Sequence, residues 1–123
     1  MTTEKITAQD IKKALSEGLS TYLPEGRSGC GRVYVCIGRC RDGDESNPAV
    51  KRANQRQTRA MRAAIANAAR SLGMNYRTQG YPSPHAIYIG YDNCSGQQLG
   101  QGTAIVKNLK ALGVPAYREE VAD

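Results

Sequence analysis

The chain has 123 residues, of which 40% are hydrophobic and 23% are charged, and this balance fits one globular domain and excludes a disordered chain. Its formal net charge of +6, from 17 Lys and Arg against 11 Asp and Glu, indicates an anionic partner. No apolar run approaches the ~20 residues of a membrane span, and the start of the chain lacks the features of a signal peptide, so we expect a cytoplasmic protein with no membrane partner.

The positive charge is concentrated in residues 26–91. This segment holds ten Arg and one Lys against three acidic residues, which gives it a net charge of +8. Guanidinium groups suit bidentate contacts with phosphate oxygens, so a polyanion and a small phosphate compound both fit as partners. A basic surface that only keeps the protein in solution is a third interpretation.

The N-terminal segment predicts one amphipathic helix. Thr7 is a suitable N-cap with Asp10 in the acidic position of a capping box, and apolar residues then recur every three to four positions. A glycine-rich loop over residues 25–31 follows, without the Lys-Ser/Thr ending of a phosphate-binding P-loop. Residues 32–38 form a predicted strand rich in β-branched and aromatic side chains, and residues 39–47 form a polar loop.

The longest predicted helix spans residues 48–72. Asn47 caps it, Pro48 takes its first position and Gly73 ends it. Its predicted core side comprises Val50, Ala53, Gln57, Met61, Ala64, Ile65, Ala68 and Leu72. The opposite side carries a row of arginines: Arg52, Arg56, Arg59 and Arg70. Such a row is most often a solvated face, but no acidic residue stands between positions 50 and 92, which favours an external anion or another subunit.

The remaining elements are three strands and a helix. The predicted strands are 74–79, 85–91 and 114–118, the helix is 97–112, and the acidic tail frays. The order α, then β-α-β-β-α-β, predicts an α+β fold: a split β-α-β-β-α-β (ferredoxin-like) sheet with two helices on one face, plus an extra N-terminal helix. That extra helix, or another subunit, should cover the second face of the sheet.

All elements are expected to belong to one domain, 1–123. Its parts are an N-terminal helix and connector over 1–24, an α+β core over 25–120 and a tail over 121–123.

The turn after the third predicted strand is the most suggestive candidate binding site. Asp92, Asn93 and Ser95 stand directly before a helix, where free backbone N–H groups can hold a phosphate or a ribose hydroxyl. The same residues are good turn and cap formers, so a purely structural role stays open. Tyr88 and Tyr91 offer flat surfaces for a base, or else fill the core or an interface.

No catalytic or metal-binding motif stands out, so we expect a binding protein without a cofactor or metal rather than an enzyme. The single histidine, His85, and Cys94 flank one strand, which would hold them ~30 Å apart, too far for a thiolate pair. The four cysteines form no C-x-x-C pair, and for a reducing compartment we interpret them as free thiols: Cys30, Cys36, Cys40 and Cys94.

The C-terminal half of the chain resembles the phage Thoeris anti-defence sponges of the first-described type. The residues that carry the resemblance run from Tyr88 through Asp92-Asn93, Gly96, Leu99, Gly102 and Ala104-Ile105-Val106 to Gly113, Tyr117 and Arg118. The small size, the Gly-Arg-Val-Tyr-Val strand and the long arginine-bearing helix are also similar, so the resemblance spans residues 25–120.

This resemblance implies a phage protein that is not an enzyme and that sequesters cyclic ADP-ribose isomers made by bacterial TIR-domain enzymes. By holding these signals intact in the host cytoplasm, it would block Thoeris immunity. Members of the family assemble as dimers and some as hexamers, so a homo-oligomer is expected. Some members also hold the cyclic trinucleotides of CBASS defence in separate, arginine-lined pockets.

The resemblance also implies positions for these ligands on this chain. The ADP-ribose isomer would lie near Arg27, Asn93 and the turn from Asp92 to Gly96, with Arg118 as a further candidate. Arg56 and Arg59 would belong to the cyclic-trinucleotide pocket. Because the chain has neither Trp nor Phe, any base stacking must come from Tyr, such as Tyr91, or from His85, Pro or Arg.

Two alternatives from other classes stay open. The arginine row of the long helix suits a nucleic-acid backbone, whose binding would fall steeply with salt and tolerate unrelated sequences. An inhibitor that docks onto a defence protein would instead form a stable protein complex with no small ligand.

Overall fold

A computed structural model describes residues 6–25 and 30–122 of the chain. Three helices and four strands follow one another in the predicted order: α1 (Ala8–Ser20), β1 (Gly31–Ile37), α2 (Pro48–Ser71), β2 (Asn75–Arg77), β3 (Ala86–Asp92), α3 (Gln97–Ala111) and β4 (Ala116–Ala122). The predicted mixed α+β class is confirmed.

The helix starts are specified locally, as predicted. Thr7 accepts a hydrogen bond from the backbone N–H of Asp10, and the Asp10 carboxylate accepts one from the N–H of Thr7. Asn47, which directly precedes Pro48, accepts a hydrogen bond from the N–H of Ala49. These caps satisfy backbone donors that have no partner inside the helix, which is why both helices begin where the sequence indicates.

The four strands form one antiparallel sheet in the order β2-β3-β1-β4. β1 lies between β3 and β4, and six of its seven residues are buried. The ladder between β1 and β3 shifts register after Val33, which pairs with Gly90, so that Tyr34 pairs with Tyr88. The central position explains the low polarity of β1, since both of its faces are covered.

The last strand is longer than predicted. The sequence indicates a strand over 114–118 followed by a frayed tail, but β4 pairs with β1 as far as Ala122, which lies opposite Gly31. The prediction of a frayed tail is therefore wrong for residues 119–122. Pairing along the full length of β1 outweighs the low strand propensity of Glu119 and Glu120.

The helices form the main core with one face of the sheet. Ile11 and Leu15 of α1 are buried in a cluster with Ile65 of α2 and Ile105 of α3. α1 packs on α2 and α3, so the prediction that it covers the other face of the sheet is wrong. Gly18 explains the placement, because a Cβ there would overlap the Ile105 side chain and the two helices need that close approach.

The second face of the sheet carries a smaller cluster around Tyr34. Tyr34 and Cys36 are buried beside the partly buried Tyr88 and Val121. The guanidinium of Arg77 lies 5.2 Å from the centre of the Tyr34 ring and donates to its hydroxyl at 3.0 Å. Side chains of the sheet itself therefore cover its centre.

Two of the four cysteines are not free, contrary to the prediction. Cys30 and Cys94 form a disulfide, whereas Cys36 and Cys40 are free thiols. Cys30 directly precedes β1, and Cys94 lies two residues beyond β3. Because these strands pair in antiparallel fashion, the start of β1 lies beside the end of β3, and the two Cα atoms are 4.7 Å apart. The interpretation failed because sequence spacing does not report which strand ends meet.

None of the helices in the described segments, 6–25 and 30–122, has the length and apolarity required to cross a bilayer.

Candidate functional site

A cavity of about 470 Å³, widely open to solvent, lies against the N-terminal half of α2. We call it the basic cavity, and its described lining residues are Arg39, Lys51, Gln55, Thr58, Arg59 and Arg62. Four of the six are cations, and its volume is in the range of small-molecule sites. An anionic small molecule is the class of ligand that such a lining attracts.

The four cations differ in how they are held. Arg39 forms a bidentate pair with Glu45, at 2.5 and 3.0 Å, and this contact with Arg39, followed by that with Asn54, lowers the pKa of Glu45 to about 2. Arg62 donates to the carbonyl of Ile37 at 3.2 Å. Within the described part of the chain, neither Lys51 nor Arg59 pairs with an acidic side chain. The cavity therefore keeps a net positive charge.

Five of the lining residues belong to α2, and the sixth, Arg39, belongs to a loop, residues 38–47, that is held against α2 by buried polar groups. Asn54 accepts from the N–H of Asp42 and donates to the carbonyl of Asp42 and to Glu45. Thr58 accepts from the N–H of Cys40 at 2.9 Å. Both side chains are almost completely buried, at 2% and 6% exposed. These contacts position the loop that carries Arg39, one of the lining residues.

Asn54 and Thr58 were missed at the sequence level. The helical pattern predicts Ala53 and Gln57 on the core side, yet Ala53 is exposed and the buried positions are shifted by one residue. The shift arises because this half of α2 packs on a polar loop rather than on the sheet. The signal that the sequence offers is the helical spacing of the two polar residues Asn54 and Thr58. Polar residues on the exposed faces of helices show the same spacing, so it does not identify a buried pair.

Asn54→Ala is expected to lower the free energy of unfolding by about 2 kcal/mol, because the buried groups of Asp42 lose their partners. Chemical denaturation measures this change. Gln55→Ala is the matched control, since Gln55 is the exposed neighbour on the same helix and should change stability by less than about 0.5 kcal/mol. Equal losses in the two variants would show that the loop is not anchored through Asn54.

The predicted arginine row divides into two parts. Arg52, Arg56 and Arg59 are exposed on α2, and Arg59 lines the basic cavity whereas Arg56 does not. Arg70 is engaged within the fold, since its guanidinium lies 5.8 Å from the centre of the Tyr76 ring and donates to the carbonyl of Tyr76. The row is thus a three-arginine surface beside the cavity.

The turn after β3 carries a second group of polar residues. It lies at the end of β1 that is opposite to the basic cavity. The buried carboxylate of Asp92 accepts from the N–H of Gly96 at 2.9 Å and of Leu99 at 3.1 Å. Ser95 accepts from the N–H of Gln97, and Asn93 is exposed. Asp92 thus already satisfies two of the backbone donors that the sequence offers to a phosphate.

Arg118 lies beside this turn in a polar network with residues of other elements. Its Nη1 donates to Glu25 at 2.8 Å, to Thr103 at 2.7 Å and to the carbonyl of Leu99 at 3.3 Å. Thr103 also hydrogen-bonds the Glu25 carboxylate. The contact with Arg118, followed by that with Thr103, lowers the pKa of Glu25. The structure thus brings Arg118 close to the predicted turn, through Glu25.

The other predicted residues lie as follows. Tyr91 is 41% exposed on β3 opposite Arg32, while Tyr88 packs against Tyr34 with ring centres 5.3 Å apart. Arg27 lies outside the described residues. Cys94 has no thiol to offer as a nucleophile because it is bonded to Cys30.

The two groups are separated by the length of β1. Arg62 contacts the carbonyl of Ile37 at one end, and Gly31 pairs with Asp92 at the other, about 20 Å away at the rise of an extended strand. In residues 6–25 and 30–122, no cluster of three or more His, Cys, Asp or Glu side chains suits a metal ion.

Comparison with protein families, with curated proteins and with solved structures finds no match to this chain. The resemblance to the Thoeris anti-defence sponges therefore stays a prediction from the sequence.

Proposed function

We propose that this protein binds anionic signalling nucleotides and holds them without degrading them. In the form that the sequence resemblance implies, it sequesters cyclic ADP-ribose isomers, and also cyclic trinucleotides, and so blocks Thoeris and CBASS defence. The observation that supports the proposal most directly is the basic cavity, with four cations among its lining residues. One of these is Arg59, which the resemblance assigns to a nucleotide pocket.

Two separate sites fit this proposal. The basic cavity and the turn after β3 lie at opposite ends of β1, and Arg118, which pairs with Val35 between them, contacts Glu25 and Leu99 on the side of the turn, so we assign a separate ligand to each site. In this arrangement the cyclic trinucleotide would occupy the cavity and the ADP-ribose isomer the turn. Sequestration needs complementary charge and burial but no positioned nucleophile.

The finer description of the fold is also a proposal. The order β2-β3-β1-β4 with antiparallel neighbours supports a split β-α-β-β-α-β (ferredoxin-like) arrangement, since β3 lies between β1 and β2, and β1 between β3 and β4. We further propose a homo-oligomer, dimer or hexamer, because a nanomolar affinity corresponds to about 12 kcal/mol and calls for burial of the ligand beyond a few arginine contacts.

Arg59→Gln is expected to weaken binding of a cyclic trinucleotide about 30-fold, the equivalent of one lost charged hydrogen bond of about 2 kcal/mol. Isothermal titration measures the affinity. Arg52→Gln is the matched control, because Arg52 is an exposed arginine on the same helix outside the cavity lining and should change affinity by less than about threefold.

The test of sequestration is recovery of the ligand. The protein is titrated with a glycocyclic ADP-ribose isomer and with a cyclic trinucleotide, and each complex is then heated and chromatographed. Intact ligand after tight binding supports the proposal, and a degraded ligand would show an enzyme. Absence of heat with both nucleotides would overturn the proposed function.

Nucleic acid is a second candidate, favoured by the exposure of Arg52, Arg56 and Arg59 along one helix. A polyanion would contact all three, so Arg52→Gln and Arg59→Gln would weaken binding equally, and affinity would fall steeply with salt. Titration of unrelated duplexes at two salt concentrations separates this candidate from a compact ligand.

A further inference from the structure

The Glu25 carboxylate occupies a place that is built for an anion. One oxygen accepts from Arg118 Nη1 at 2.8 Å and the other from the hydroxyl of Thr103. Arg118 and Thr103 are themselves joined at 2.7 Å. A guanidinium with an adjacent hydroxyl donor is a standard arrangement for a phosphate oxygen as well as for a carboxylate.

The nearby start of α3 does not offer a second place for that anion. Asp92 is completely buried and its two carboxylate oxygens accept from Gly96 and Leu99. These two backbone donors are therefore not available to a phosphate. Arg118, which also donates to the carbonyl of Leu99, is therefore a cation beside the start of α3 that an incoming anion can use, and Glu25 is its competitor.

The backbone around Glu25 is fixed while its side chain is accessible. The N–H of Glu25 donates to the carbonyl of Gly96 at 3.0 Å, and the main chain at Leu23 packs directly on Gly100. The side chains of Arg118 and Glu25 are 29% and 37% exposed. Solvent, and hence an anion, reaches the pair, and rotation of one side chain is enough to open it.

We infer that Arg118 and Thr103 form an anion site for a phosphate or diphosphate group, and that Glu25 is the internal gate that a ligand displaces. The inference deepens the proposed function, on which it rests for the identity of the physiological ligand. Glu25 raises the concentration of ligand needed for binding and rejects weakly charged anions, because each must replace an existing ion pair. Removing the carboxylate without changing its shape should open the site.

The test uses inorganic pyrophosphate as the probe and Glu25→Gln as the variant. Gln preserves the volume and the backbone contacts, and we expect it to bind pyrophosphate at least tenfold more tightly than the original chain does. Glu17→Gln is the matched control: it removes the same charge from an exposed ion pair on α1, and should bind as the original chain does. The double variant Glu25→Gln/Arg118→Gln should lose the gain.

The outcomes separate this inference from the proposed function. A Glu25→Gln variant that melts at the original temperature but binds pyrophosphate no better than Glu17→Gln overturns the gate, and so does a gain that survives loss of Arg118. Should Glu25→Gln fold poorly, Glu25→Ala is measured in its place by the same criteria. If the gate holds but neither signalling nucleotide binds the original chain, the anion site stands and the proposed function fails.

Discussion

Breaking the Cys30–Cys94 disulfide is expected to lower the free energy of unfolding by about 4 kcal/mol. The bond closes a loop across a sequence separation of 64 residues, and the chain-entropy model gives this value for a loop of that length. Since small domains are stable by only about 5–15 kcal/mol, the loss removes a large share of the total. Urea titrations of the double variant Cys30→Ser/Cys94→Ser against the original chain measure it.

The free cysteines supply the control for this prediction. Cys40→Ser keeps the disulfide, and we expect it to unfold close to the original midpoint and to remain sensitive to a dithiol reductant. The double serine variant should show no such sensitivity. An original chain that unfolds identically with and without reductant would contradict the prediction. Disulfides are rare in reducing compartments, so the Cys30–Cys94 bond argues against the cytoplasmic location, which stays a prediction.

The elements of this fold could be predicted because their signals are local. Caps at Thr7 and Asn47, and glycines with positive φ after helices at Gly73 and Gly113, mark helix ends through interactions within four residues. The extent of β4 could not be predicted in this way, because it depends on the length of β1, which is distant in sequence. Strand bounds are set by the partner strand as much as by propensity.

In the candidate sites, too, local features could be predicted from the sequence and contacts between distant residues could not. Composition identified an arginine-rich helix, and Arg59 does line a cavity. Arg39 comes from a loop that Asn54 and Thr58 hold against α2. These contacts join residues nine to eighteen positions apart, which no helical periodicity reports. The competitor of Arg118, Glu25, lies 93 residues away in the sequence. Pairs of this kind arise from tertiary packing, so a list of charged residues cannot assign them.

Gly96→Ala is expected to lower the free energy of unfolding by about 3–5 kcal/mol. Gly96 has φ +81°, and a Cβ there would overlap the main-chain carbonyl of Glu25. The left-handed conformation costs a non-glycine residue about 1 kcal/mol, and the overlap adds the cost of displacing a hydrogen-bonded backbone segment from α3. Thermal and urea unfolding of the purified variant measure the change.

Gly73→Ala isolates the part of this loss that comes from packing. Gly73 has nearly the same backbone angle, φ +76°, but a Cβ there meets nothing within 4 Å, so only the conformational cost of about 1 kcal/mol remains. The difference between the two variants therefore measures how firmly residues 23–25 are seated on α3. Because Glu25 belongs to that segment, Gly96→Ala should also break its pair with Arg118 and strengthen pyrophosphate binding. Equal destabilisation by the two substitutions would show that the segment gives way easily and does not hold Glu25 in place.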